Sequence, residues 1–515
     1  MKARNLSYLL GLDVGTTGVK AILIDETGKV IASTTSEYPL VTPKPLWSEQ
    51  NPEDWWRAAV SAVRSVLERS KISGDKVVGI GLSGQMHGLV LLDAKGKVLR
   101  PAILWNDQRT SEQCKKITEM LGFERLLDLT GNPVLPGFTA PKIIWVRENE
   151  PKVYKKIAHF LLPKDYVRYR LTGELATDVA DASGTSLFDV KRRMWSKQMF
   201  DALDIPIKWA PGCVESPDVS GRVTQKVAEA TTLAAGTIVV GGAGDQAAQA
   251  IGTGIVREGL VSATLGTSGV VFAPTKKPLF EQKGRLHSFC HAVPKMWHVM
   301  GVMLAAGGSL RWYRDSLAEL EKQKASKLKK DPYEILMEEA EKAPAGCEGL
   351  IFLPYLSGER TPHPDPNARG AFVGLTLRHK KSHMIRAILE GVGFGLRDSL
   401  ELIRNQGIKT GQIRASGGGA RSKLWRQILA NIFNAEVVTV NVTEGAAYGA
   451  ALLAGVGAKI YPDVLTACER TIKLSSSVSP EPKKASLYDR IYPLYRNLYV
   501  ALKPTFDALA STDTQ

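Results

Sequence analysis

Apolar residues occur in short runs separated by turn residues, the pattern of buried strands joined by tight turns. Runs at residues 7–12, 19–25 and from Val30 onward predict a three-strand meander, with Glu26-Thr27-Gly28-Lys29 as its second turn. Pro52 opens a stretch with helical periodicity to about Leu67, and Asn51 is placed to cap it. Residues 77–82 and 235–242 read as further buried strands. A second meander begins at Gly259, roughly 250 residues after the first, a spacing that suits two similar domains divided near Thr253, 1–252 and 253–515. The polar stretch 322–330 predicts a surface helix or loop. Residues 476–482 read as a linker into an amphipathic helix around 487–506, and the small, polar tail after Ala508 is expected to be disordered. The chain is mixed α/β throughout.

The turns carry the candidate chemistry. Asp13-Val14-Gly15-Thr16-Thr17-Gly18 takes an acidic residue from a strand end into a turn of small residues. Glycines there admit a close ligand, N–H and hydroxyl groups suit phosphate oxygens, and a carboxylate suits a divalent cation. An ordinary hairpin turn uses the same residue types. The phrase returns as Gly266-Thr267-Ser268-Gly269, and two such hairpins across a cleft would grip a polyphosphate from both sides. A third turn, Gly417-Gly418-Gly419, opens the amphipathic segment 424–430, where bare backbone would accept a flat base or ribose.

Two polar strings follow buried strands. Ser83-Gly84-Gln85-Met86-His87-Gly88 falls at a strand's C-terminal edge, where ligands of α/β sheets gather. A lone histidine there serves equally as a structural hydrogen-bonder. Gly244-Asp245-Gln246-Ala247 opens a helix, so Asp245 is either an N-cap or a carboxylate projecting into a cleft. The loose dinucleotide fingerprint Gly242-x-Gly244-x-x-Ala247 fails, because Gly252-Thr253-Gly254 stops the helix and no acidic residue follows at the required distance. No Walker loop is present: Gly28-Lys29 and Gly96-Lys97 are each followed by valine.

Composition narrows the classes. A chain of 515 residues exceeds what one core supports, so at least two domains are expected. The net charge of +15 is spread over dispersed lysines and arginines without a nucleic-acid-binding motif, so no nucleic-acid partner is expected. Five cysteines without C-x-x-C spacing read as reduced thiols. No apolar run approaches the ~20 residues of a membrane span, and a cytoplasmic protein with no membrane partner is expected.

Two long signatures, residues 137–149 (Gly-Phe-Thr-Ala-Pro-Lys-Ile-Ile-Trp-Val-Arg-Glu-Asn) and Gly370 through His383-Met384 to Glu390, resemble those of the FGGY family of carbohydrate kinases. The likeness spans essentially the whole chain. It implies two actin-like (ribonuclease H-like) ATPase domains flanking an interdomain catalytic cleft, with ATP and Mg²⁺ as the nucleotide and metal. The Gln85-Met86-His87 string resembles that of members phosphorylating D-xylulose to D-xylulose 5-phosphate, which puts Met86 and His87 against the sugar. The resemblance assigns Trp105, Asn106, Asp107 and Gln246 to the sugar pocket and Asp245 to the role of general base. Asp13 would hold the metal; Gly15, Thr16, Thr17 and Gly18, with Gly266, Thr267 and Ser268, would hold phosphates; Gly418 and Gly419 would back the adenosine. Kinases of ribulose, gluconate or glycerol, and a non-catalytic sugar sensor, remain open, as does a homodimer. The chain departs from the family at Asn431, where aspartate is common, and the family-like stretch 353–362 is assigned no chemistry.

Overall fold

The computed structural model describes residues 6–512. Tyr8–Val14, Gly18–Asp25 and Val30–Glu37 form the expected antiparallel meander. On its other side Tyr8–Val14 runs parallel to Val77–Gly84, which runs parallel to Ile238–Val240; Val219–Arg222 closes that edge. The helix Pro52–Ser70, capped by the Asn51 side chain, covers one face through Trp55, Ala59, Val63 and Val66.

The second sheet repeats this order. Gly259–Leu265, Gly269–Thr275 and Trp297–Met303 make the meander; Thr410–Ser416 and Val437–Val440 continue in parallel from Gly259–Leu265. His287–Cys290 and Leu474–Val478 form the edges. Residues 476–478, expected within a linker, therefore complete the sheet. Their serines escaped a strand assignment because an edge needs little apolar surface: Thr439 and Ser476 pair across it through hydroxyls 2.8 Å apart. The terminal helix runs Pro482–Thr512, so residues 509–512 are helical where disorder was expected; residues beyond Thr512 lie outside the described region. It is anchored by a stripe of buried tyrosines, with Tyr488 donating to Glu390 at 2.6 Å and Tyr492 to Asp398 at 2.6 Å. The polar segment expected at 322–330 is mostly helical, within Glu319–Leu328.

Two equivalent helices join the halves. Asp245–Gly252 follows the last inner strand of the first sheet, and Gly445–Gly457 follows its counterpart in the second. They cross at near backbone contact, so a Cβ on Gly449 would stand 1.9 Å from the Ala248 carbonyl oxygen. Gly445–Gly457 also lies directly on the first sheet, where a Cβ on Gly81 would meet the Ala450 oxygen at 1.9 Å. The run Gly-Ala-Ala-Tyr-Gly-Ala-Ala permits this approach, since larger side chains would hold helix and sheet apart. Lys20 and Glu444 add an ion pair across the junction at 2.5 Å. All five cysteines are free, and among the described residues no helix is long and apolar enough to cross a membrane.

Candidate active site

The first glycine-rich turn closes through the Gly15 N–H to the Gly18 carbonyl at 3.0 Å and is braced from several directions. The Gln50 amide donates to the Thr16 carbonyl at 2.7 Å, and the Gln85 amide donates to the Gly15 carbonyl at 3.3 Å. Tyr38 also donates to the Gly15 carbonyl. Trp105, at the rim, donates its indole N–H to the Thr16 hydroxyl at 3.1 Å. These contacts occupy carbonyls and one hydroxyl and leave Thr17 exposed at the tip. Gln50 and Tyr38 had no signal in the sequence, because their partners lie on other strands and loops.

Asp13 sits in register with Ser83 on the parallel neighbour and with Lys20 on the antiparallel one. Its Oδ1 is buried without a hydrogen-bond partner. Burial raises its carboxyl above the ordinary range, partly offset by Ser83 and Lys20. Asp245 is the first residue of its helix, with Gly244 as the N-cap, so it is not the cap itself. Burial lifts its carboxyl to about 7, and the Asp13 charge adds to the rise; the Gln246 amide and side chain act in the opposite sense. The Asp13 charge reaches Asp245, and the unpartnered Asp13 Oδ1 is a hard oxygen of the kind that suits a divalent cation.

Met86 lies under this helix start, its sulfur 3.0 Å from where a Cβ on Gly244 would stand. His87 adopts a left-handed φ of 68°, an uncommon conformation for a residue with a side chain. Its carbonyl is held there by Lys142 at 2.9 Å and Thr139 at 3.1 Å. The ring stacks on Phe138 with centroids 4.4 Å apart, and its Nδ1 lies 2.7 Å from the Gly184 carbonyl. A carbonyl only accepts, so Nδ1 carries the proton and Nε2 is left as an acceptor. Burial pushes the imidazole down to about 3, with Gly184 opposing and the Lys142 and Arg360 charges reinforcing the fall, so the ring is neutral near pH 7. Phe289 and His287 from the second half complete an aromatic wall, their ring centroids 5.7 Å apart. Phe138, Lys142, His287 and Phe289 carried no assigned role in the sequence reading; the first two sit inside the 137–149 signature.

The remaining sugar-side candidates divide. Asn106 has a buried Oδ1 without a partner. Gln246 is partly buried beside the Asp245 carboxylate. Asp107 is fully buried and its oxygens are taken, by Arg109 at 2.7 Å and by the Ser48 N–H at 2.6 Å. The Arg109 guanidinium in turn lies 3.6 Å from the Trp47 ring centroid, so this segment forms a braced corner.

Across the junction, Gly266, Thr267, Gly418 and Gly419 line one cleft of about 1370 Å³. The Gly307 and Gly308 N–H groups, at the start of helix Gly307–Leu317, donate to the Gly266 and Thr267 carbonyls at 2.8 and 3.0 Å. Ser268 closes the turn with its carbonyl, accepting from Gly266 N–H at 3.1 Å. Space around Gly418 is open, and a Cβ there would fill part of the cleft. The size and the bare backbone fit a nucleotide. Asn431 also lines this cleft, and its Oδ1 accepts the Glu481 N–H at 2.7 Å, as an aspartate oxygen would.

The chain resembles known proteins over nearly its whole length. A model of the FGGY family of carbohydrate kinases, N-terminal domain, matches residues 8–252, and the C-terminal domain model matches residues 261–458. A xylulose kinase of Bacillus subtilis is 41% identical over 506 residues, 98% of this chain and 99% of that protein. The crystal structure of a xylulose kinase from Brucella ovis superposes with a TM-score of 0.88 at 39% identity, covering 97% of this chain and all of that one (100%). A gluconate kinase from Lactobacillus acidophilus superposes at 0.91 with 29% identity, covering 98% of this chain and 100% of its own.

Proposed function

The chain belongs to the FGGY family of carbohydrate kinases, and we propose that it moves the terminal phosphoryl group of ATP to the C5 hydroxyl of D-xylulose. The products are D-xylulose 5-phosphate and ADP. One observation supports this reading: Asp245, at the start of the helix that packs on Gly445–Gly457 of the second half, stands next to Gly244 against Met86 and within reach of the Asp13 charge. Support for the particular sugar comes from the likeness to the Bacillus subtilis and Brucella ovis enzymes.

In this mechanism the sugar lies on the Met86–His87–Phe138 surface, with a hydroxyl donating to His87 Nε2. Asp245, raised to about 7, is a better base than an ordinary aspartate, and it takes the C5 hydroxyl proton as that oxygen bonds to phosphorus. The bond from phosphorus to the bridging oxygen breaks and its electrons leave with ADP. The turns at residues 15–18 and 266–268 position the phosphates, and Gly418 and Gly419 back the adenosine. Asp13, with its free Oδ1, would hold Mg²⁺, which when bound neutralises phosphate charge. Closure of the halves about the Thr253 boundary would exclude water from the reacting atoms.

The test is coupled ADP release with Mg-ATP across D-xylulose, D-ribulose, L-ribulose, gluconate, glycerol and a no-sugar control. D-xylulose should give the highest kcat/KM. Gluconate in first place would favour the second reading, an aldonate kinase, to which the Lactobacillus acidophilus likeness points. Silence with every sugar would sink both.

A further inference from the structure

His87 is held in a backbone conformation that a residue with a side chain avoids, and a buried lysine helps to hold it. The Gly88 N–H donates to the Met86 carbonyl at 2.9 Å, closing a γ-turn with His87 at its centre and a φ of 68°. With a positive φ this turn is rare and strained, and it persists only where its surroundings enforce it. The His87 carbonyl accepts twice, from the Lys142 ammonium at 2.9 Å and from the Thr139 hydroxyl at 3.1 Å. Lys142 also donates to the Gly137 carbonyl at 2.7 Å. It is fully buried, and both of its hydrogen bonds end on backbone oxygens, neither on a carboxylate. Asp107, whose charge reaches it, is committed to Arg109 and to the Ser48 N–H. A buried lysine ordinarily has an acidic partner, because desolvating an uncompensated charge is costly. Here the ammonium is directed at two carbonyls of the sugar side instead.

The same short run governs the imidazole. Phe138, between Gly137 and Thr139, stacks on the ring with centroids 4.4 Å apart. Gly137 is wedged against the Trp105 carbonyl, where a Cβ would stand 2.5 Å from the oxygen, so Lys142 ties the His87 turn to the Trp105 segment. At the ring edge, Nδ1 donates to the Gly184 carbonyl at 2.7 Å, and a Cβ on Gly184 would collide with the ring. Backbone, ring face and one nitrogen are thereby fixed, and Nε2 is left to meet a ligand. We propose that Lys142 and Thr139 are positioning residues for the sugar. By clamping the carbonyl of the strained turn, they keep Nε2 of His87 pointed at a substrate hydroxyl. The inference deepens the reading of the protein as a D-xylulose kinase and rests on it.

The test is a double-mutant cycle of Lys142→Met, His87→Gly and the pair, each checked by thermal melting. Lys142→Met should raise the KM for D-xylulose about 10- to 100-fold, as loss of hydrogen bonds from a charged group does, with kcat and the KM for ATP near wild type. His87→Gly has no imidazole to aim, and glycine takes a positive φ without help. In that background Lys142→Met should raise the KM by no more than about threefold. A wild-type KM in folded Lys142→Met overturns the inference alone. So does an equal rise in both backgrounds, since a lysine that merely supports the fold would harm both proteins alike. Should Lys142→Met fail to fold, Thr139→Val, which removes the other donor to that carbonyl, runs the same cycle. A rise in KM of about 2- to 10-fold that vanishes beside His87→Gly supports the clamp, and no rise or an equal one overturns it. No turnover of any sugar by the wild type overturns the proposed function and this inference together.

Discussion

The two halves of the molecule set different residues on one scaffold. In the first sheet Asp13 stands beside Ser83; at the equivalent point of the second, Thr264 stands beside Ser416, their hydroxyls 3.0 Å apart. After Gly84 the first half presents Gln85, Met86 and His87, and after Ser416 the second presents Gly417, Gly418 and Gly419. The helix after the last inner strand starts with Asp245 in one half and Gly445 in the other. Equivalent positions thus carry polar side chains in one half and bare backbone in the other. The contrast follows from the ligands proposed. A small polyol needs directional donors and acceptors to be distinguished and a base to be activated. A nucleotide needs a broad surface and N–H groups, which a Cβ would obstruct.

The contrast predicts unequal sensitivity at equivalent positions. Asp245→Asn should lower kcat by about 10³-fold or more, within the range of lost general-base catalysis, with nucleotide binding by calorimetry retained. Turnover within tenfold of wild type would remove Asp245 from the chemistry. Asp13→Asn should lower kcat/KM about 100-fold, whereas Thr264→Val, its counterpart, should stay within a few-fold; equal losses would abolish the asymmetry. The same Asp13 variant tests the electrostatics. Wild-type kcat/KM should rise with pH through about 7 as Asp245 loses its proton. Removing the like charge of Asp13 should move that limb to lower pH, and an unmoved limb would deny their coupling.

Where the halves meet, the symmetry becomes a packing constraint. Gly81→Ala would drive a methyl group into the Ala450 carbonyl, so chemical denaturation should show a loss of about 1–3 kcal/mol or more. Acid should act on both halves at once. His87 and His291, one from each half, are held neutral by burial with pKa values pushed down to about 3. A folded-state pKa below the unfolded value of about 6.5 means that this stabilisation is full above pH 6.5 and is lost as pH falls towards 3. Urea midpoints measured across that window should fall with pH, and less steeply in His87→Gln. The smallest effect belongs to Asn431→Asp. The oxygen that accepts the Glu481 N–H persists, but the added charge is buried, so chemical denaturation should show a loss of about 1 kcal/mol.

Much of this was legible because it is local. Strand–turn–strand grammar located both hairpins within a residue or two, and Asn51 caps its helix as its type and place suggested. Where the reading went astray, the deciding contact was distant: Leu474–Val478 is a strand because Val437–Val440 offers it an edge. Asp107 looked as open as Asn106 beside it, and only the arrival of Arg109 and Ser48 commits its oxygens.

From residue order and type alone follow the α/β class, the duplication, the glycine-rich turns and the family. These depend on spacing along the chain, on backbone freedom and on signature residues, all of which are written in order. The fold added what depends on approach between remote segments. It neutralised His87 and chose its tautomer, raised Asp245, and brought Gly445–Gly457 onto a sheet more than 400 residues earlier at Gly11, in near contact at Ala447. Burial and charge act through space, so their sign at any residue was decided only once the two halves closed around the cleft.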